Sequence, residues 1–172
     1  EFNIEIFVLE SRPLLEGRKT AEILSQHFKT HLIVDAAIGK FIDHIDFVLI
    51  GVDSILKNGS IINKIGTFPL AIVANAKDVD VYVVADSYKY NLKSHFDQPI
   101  MIEKKPIDEV YDKEIKSKFL EVYNYYFDET PSKYISGIIS NYGILSIKGF
   151  LEKVKQDLPS EWFKYFLSNK NT

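Results

Sequence analysis

The sequence predicts an α/β protein: a three-layer, Rossmann-like open sheet, mostly parallel, with helices on both faces. Three observations predict it. Apolar runs rich in β-branched and aromatic residues recur at Ile4 to Leu9, His31 to Asp35, Asp46 to Gly51 and Val79 to Val84, the pattern of strands buried on both faces. Segments of helical spacing separate them, as parallel pairing through right-handed crossovers requires. The chain has 172 residues, 46% of them hydrophobic, enough to build the core of one domain.

The elements follow in order. After the first strand, Arg12-Pro13 punctuates the chain, and Thr20, Ala21, Ile23, Leu24 and Phe28 recur at helical spacing before the second strand. Ala36, Ala37, Ile38, Phe41 and Ile42 predict a short helix, and the third strand ends in Gly51. Asn58-Gly59 is a tight-turn pair between Ile55-Leu56 and Ile61-Ile62, so a small hairpin is expected there. Lys64 to Ala76 then carries a helix leading to the fourth strand. Asn91 to Lys113 is more polar and holds Pro99 and Pro106, which predicts a loop region with a short edge strand at Ile100-Met101-Ile102. Phe119 to Phe127 alternates aromatic and polar residues as a further strand would. Two amphipathic helices are expected at the end, around Phe150-Leu151-Val154 and Trp162 to Leu167.

Composition excludes several functions. With 21 Lys plus Arg against 24 Asp plus Glu the net charge is -3, so no overall basic field draws the chain to nucleic acid or anionic lipid. No cysteine is present, which excludes disulfides, cysteine-ligated metals and a thiol nucleophile within this chain. No apolar run reaches the ~18 to 20 residues of a membrane-spanning helix. The chain also opens without the basic segment of a signal peptide. A cytoplasmic protein, with neither membrane nor direct nucleic-acid contact, is the expectation.

Ligands of open α/β sheets bind beyond the carboxyl ends of the strands. Four segments fall there: Glu10 to Pro13, Gly51 to Ser54, Asn63 to Thr67 and Asp86 to Lys89. Arg12, Lys64 and Lys89 supply cations and Asn63 a carboxamide, a set suited to an anionic ligand. Asp53 is the acid among them. A carboxylate between cations and partly dried is able to shuttle a proton on a bound sugar phosphate. Taken singly, Asn63 also fits a helix N-cap, and Asp53 a cap of the Asn58-Gly59 turn.

Other motifs are missing. His27, His31, His44 and His95 lack metal-ligand spacing, so no metal is expected, and neither a GxGxxG nor a P-loop string follows the first strand. Tyr123, Tyr125, Tyr126 and Phe127 read as an interior strand plus a dimer face rather than a base-stacking platform.

The blocks Glu10-Ser11-Arg12-Pro13 with Glu16-Gly17, Gly51-Val52-Asp53-Ser54-Ile55, Asn58-Gly59, Asn63-Lys64-Ile65-Gly66-Thr67 and Phe127-Asp128-Glu129-Thr130-Pro131 occur in this order. From Phe2 to about Gly143 the chain resembles the carboxyl-terminal domain of the family shared by initiation factor 2B alpha, beta and delta subunits, methylthioribose-1-phosphate isomerase and ribose-1,5-bisphosphate isomerase. The resemblance implies a Rossmann-like domain that dimerises. One domain over residues 1–172 without the family's amino-terminal helical domain, a homodimer and no cofactor are the expectations. In the isomerase branch, Asp53 matches the catalytic acid, Asn63 and Lys64 match substrate contacts, and Lys89 matches a further substrate lysine. That branch also draws a cysteine and phosphate contacts from the amino-terminal domain. Ser132 stands where a second Pro is usual, and Ser140-Asn141 where the family tends to have Thr-Glu.

Two functional expectations result. The first is a non-catalytic regulatory or assembly domain related to initiation factor 2B subunits, with initiation factor 2 or related subunits as partners. It would bind a phosphorylated sugar or nucleotide through Arg12, Asn63, Lys64 and Lys89. The alternative is the carboxyl-terminal half of an aldose-ketose sugar-phosphate isomerase with Asp53 catalytic.

Overall fold

The structure, a computed structural model, describes residues 4–158; the helix expected at Trp162 to Leu167 lies outside them. It opens with a βαβ unit. Strand β1 (Glu5–Leu9) runs parallel to β2 (Lys29–Ile33), with helix α1 (Glu16–Leu24) as the crossover. Single helical turns then flank the short α2 (Ile38–Phe41) and lead to β3 (Phe47–Ile50). The Asn58-Gly59 hairpin forms as expected, with β4 (Ser54–Ile55) antiparallel to β5 (Ile61–Lys64). Asn58 closes it by accepting the Ser60 N–H at 2.9 Å, and Gly59 supplies the positive φ of 85° that the turn requires.

Helix α3 (Thr67–Asn75) returns the chain to β6 (Asp80–Val84), parallel to β3, and the short α4 (Leu92–His95) follows. Then come β7 (Phe127–Thr130), antiparallel to β5; β8 (Gly137–Ser140), parallel to β6; β9 (Gly143–Leu145), antiparallel to β8; and α5 (Ile147–Asp157). The largest sheet has the order β3-β6-β8-β9 and is mostly parallel, which agrees with the predicted α/β class. The ladders are divided, however. Among the described residues β1 and β2 form their own pair, and β4-β5-β7 form a third sheet.

Ile55, Ile61, Val81, Val83, Ile138 and Phe150 lie in one cluster with almost no exposure. It joins the hairpin, the parallel strands and α5. Each such side chain contributes about 1.5–3 kcal/mol on burial, so the hairpin carrying Asp53 and Lys64 is tied to the centre of the molecule. Ser146 starts α5 by accepting the Gly149 N–H at 3.1 Å, and Phe150, Leu151 and Val154 face inward.

Four expectations need correction. The second strand starts and ends two residues earlier, because Asp35 turns away to hold the loop after β1. Asn63 and Lys64 end β5 rather than start a helix; α3 begins only at Thr67, after Gly66 at φ 99°. No strand forms at Ile100 to Ile102, and only an isolated bridge joins Lys104 to Tyr125. Of Phe119 to Phe127, only Phe127 enters a strand. The rest makes no ladder beyond that one bridge at Tyr125, and Phe119 and Tyr123 remain exposed.

Candidate functional site

The loop after β1 is shaped by one carboxylate. Asp35 accepts the N–H of Ser11 at 2.8 Å and that of Arg12 at 2.7 Å, and Ser11 adopts a left-handed φ of 63°. Gly17 then lets α1 pass against β1: a Cβ there would lie 1.7 Å from the Leu9 carbonyl oxygen. Glu16 is thereby delivered to the rim.

Asp53 leads into β4. Its N–H donates to the Ile62 carbonyl at 3.0 Å, so it continues the β4-β5 register and stands across from Asn63. On the other side Ile55 forms a parallel bridge with Tyr90, which sets Lys89 alongside Ser54. Asn91 fastens that segment: its N–H reaches the Ile55 carbonyl at 2.8 Å and its Nδ2 reaches Ser54 Oγ at 2.7 Å. Backbone pairing thus brings Asp53, Asn63 and Lys89 around one short strand. The Asp53 carboxylate is exposed and makes no ion pair with a described residue, so the partly dried carboxylate expected from sequence is not present. Asn63 donates to Thr67 Oγ1 at 3.0 Å and caps no helix.

Lys64 leaves β5 towards a second group of residues. Its ammonium bonds Glu16 Oε1 at 2.6 Å and lies 5.3 Å from the centroid of the Tyr126 ring. Lys105 approaches the same ring at 5.5 Å. The Tyr126 hydroxyl donates to Glu109 Oε1, and this hydrogen bond, with burial, pushes its pKa up to about 12, so it stays protonated. Arg12 Nη2 donates to the Glu109 carbonyl at 3.1 Å. Arg12, Glu109, Tyr126, Lys64 and Glu16 therefore form one chain of contacts, and Arg12 serves the loop at Glu109.

Glu16 was legible only as part of a block, and Tyr126, Glu109 and Lys105 were not legible as site residues. Their partners lie far off in sequence, and Tyr126 sits in a stretch whose pattern reads as a strand. An open groove of about 560 Å³ lies at the far end of the hairpin, between Asn58, Ser132 and α5, away from Asp53. Among the described residues no group of three or more acids or histidines is placed to hold a metal, and no helix is long and apolar enough to cross a membrane.

The profile of the Initiation factor 2 subunit family matches residues 1–147. The chain belongs to this family. It is 38% identical over 148 residues to a ribose 1,5-bisphosphate isomerase of Methanocaldococcus jannaschii, covering 86% of this chain and 48% of that protein. It is 38% identical over 150 residues to a methylthioribose-1-phosphate isomerase of Desulfitobacterium hafniense, covering 83% of this chain and 44% of that one. Among solved structures, a 5-methylthioribose 1-phosphate isomerase from Pyrococcus horikoshii superposes with a TM-score of 0.76 at 32% identity, over 89% of this chain and 46% of the other. A translation initiation factor eIF-2B from the same organism gives 0.67 at 30% identity, over 83% and 49%. The family member described here thus spans about half the length of the relatives it matches.

Proposed function

We propose that this chain carries the Asp53 portion of the active site of an aldose-ketose isomerase acting on a phosphorylated pentose, of the ribose-1,5-bisphosphate or methylthioribose-1-phosphate type. The observation that carries the proposal is the gathering of Asp53, Asn63 and Lys89 around β4, with Lys64 beside Asn63. Such a reaction shifts a carbonyl between adjacent carbons, so a proton must leave one carbon and oxygen and return to the neighbours. Asp53, an exposed carboxylate at this rim, is able to take and return one. Lys64 and Lys89 offer charge to a phosphate, and Asn63 offers both a donor and an acceptor to sugar hydroxyls. A regulatory or assembly role has less support, since the isomerase relatives reach 38% identity.

The test is turnover. The full natural gene product is given ribose 1,5-bisphosphate or methylthioribose 1-phosphate, and the ketose product is followed by NMR. Turnover with one of them, abolished by Asp53→Asn without change in the circular dichroism spectrum, is the expected result. No turnover of either, or turnover that survives Asp53→Asn, overturns the assignment.

A further inference from the structure

Thr67 decides which end of the Asn63 carboxamide is left for a ligand. A hydroxyl has one hydrogen to give, and Thr67 gives it to the Lys64 carbonyl at 2.6 Å. In its 3.0 Å contact with Asn63 the same hydroxyl must therefore accept, so the group it meets is the Nδ2 amide. The carboxamide oxygen is the end left over, and among the described residues nothing donates to it. Thr67 is buried in the first turn of α3, with 6% exposure, while Asn63 is only half-buried. The core thus holds one end of the carboxamide and the rim meets the other. Asp128, paired with Asn63 from β7, is itself occupied by the N–H groups of Gly66 and Phe68.

We propose that Thr67 is a positioning residue: it turns the Asn63 carboxamide so that the oxygen accepts a hydrogen from a hydroxyl of the ligand, and the site thereby selects a sugar hydroxylated at that carbon. This rests on the reading that the ligand is a phosphorylated pentose bound beside Asp53. The physical argument is one of polarity. An unconstrained carboxamide presents either end, so it distinguishes poorly between a donor and an acceptor. Reversed against Thr67, its oxygen would meet a hydroxyl oxygen whose hydrogen is already committed, and two acceptors would stand face to face. The lock therefore has a direction. A sugar hydroxyl that donates to the open oxygen gains a hydrogen bond, and a sugar without that hydroxyl leaves the oxygen unpaired. The second hydrogen on Nδ2 stays available, so the lock orders the two ends of the carboxamide and removes neither.

The lock is tested first without ligand, by NMR of the 172-residue chain. Thr67→Val should speed exchange of the Asn63 side-chain amide hydrogens about fivefold, the worth of one hydrogen bond. Thr67→Ser should restore the slow rate, and Thr67→Ala takes the place of the valine variant if that one does not fold. Unchanged exchange without the hydroxyl overturns the orientation. Selectivity is then read by calorimetric titration of the full natural gene product with ribose 1,5-bisphosphate and its 2-deoxy and 3-deoxy counterparts. These lack the hydroxyls nearest the carbons that exchange the carbonyl. The unaltered protein should bind one deoxy sugar about fivefold more weakly than the parent sugar. Thr67→Val should bring the parent down to that level and leave the deoxy sugar unchanged, whereas a merely structural defect weakens all three alike. Equal affinity of the unaltered protein for all three, or a uniform loss in Thr67→Val, overturns the selectivity. If none of the three binds, the sugar-phosphate reading fails and the selectivity with it, while amide exchange still judges the lock.

Discussion

Asn124 reaches Glu109 Oε2 with its Nδ2 at 2.7 Å, and from the same nitrogen it reaches the Pro106 carbonyl at 2.6 Å. The residue is almost fully buried, and its backbone carbonyl accepts the Lys105 N–H at 2.9 Å. This residue therefore ties the loop carrying Lys105 and Glu109 to the segment carrying Tyr126, just before β7. Asn124→Ala leaves two acceptors short of a donor, which costs about 1–3 kcal/mol. Urea unfolding should show that loss. Unaltered stability would show that the loop holds itself in place.

Gly17 makes a sharper prediction. A methyl group there meets the Leu9 carbonyl oxygen at 1.7 Å and the carbonyl carbons of Leu9 and Glu10 at 2.8 and 3.0 Å, all of them backbone. No rotamer relieves that overlap, so α1 must lift from β1. Overpacking of this kind costs about 1–3 kcal/mol or more. Gly17→Ala should lower the urea midpoint without changing the slope, and it should loosen the Lys64–Glu16 pair, since Glu16 rides on the same turn.

Lys89 depends on Asn91 for its position. Asn91 does two things: its Oδ1 accepts the Ser94 N–H at 2.9 Å to start α4, and its Nδ2 bonds Ser54 Oγ at 2.7 Å. Asn91→Ala should cost about 1 kcal/mol through the cap and weaken ligand binding by freeing the segment next to Asp53. Asn91→Ser should restore most of the stability but not the binding, because a serine caps α4 yet is too short to reach Ser54. Recovery of both in the serine variant would reduce Asn91 to a cap.

These cases show which parts of the molecule were legible in the sequence. The Asn58-Gly59 turn was, because a two-residue loop with positive φ admits few residue types. Strands β1, β3 and β6 were also legible, since apolar β-branched runs have few other uses. The β8-β9 hairpin was not, as its strands are only four and three residues long. Asp53 and Lys89 could be named as rim residues because they follow strands, whereas Asn63 and Lys64 were named at an expected helix start although they end β5. The Tyr126, Glu109 and Lys105 group could not. It is assembled by side-chain contacts across a long irregular stretch, and no local spacing marks such contacts. The division into three ladders was equally hidden, because apolar runs predict strands without specifying their partners.

Asp128 gives a pH prediction whose sign follows from burial. It lies in β7 opposite Asn63, and its Oδ2 accepts the N–H of Gly66 at 2.8 Å and that of Phe68 at 3.2 Å, so it caps α3 from another strand. Burial holds its carboxyl above the ordinary value of 3.8, while the two backbone N–H groups pull the other way. Because the raised value belongs to the folded state, the folded chain binds more proton than the unfolded one between 3.8 and that value. This group's contribution to stability is therefore greatest in acid and declines as the pH rises through that window. Asp128→Asn retains one acceptor for the helix start and carries no charge, so it should remove this decline while leaving the rest of the pH profile unchanged. Urea unfolding of both proteins from pH 3 to pH 7 measures it. Parallel stability curves would mean that the helix N–H groups offset burial and leave the Asp128 carboxyl at its ordinary value. In that case Asp128→Ala should cost no more than an ordinary cap, about 1 kcal/mol.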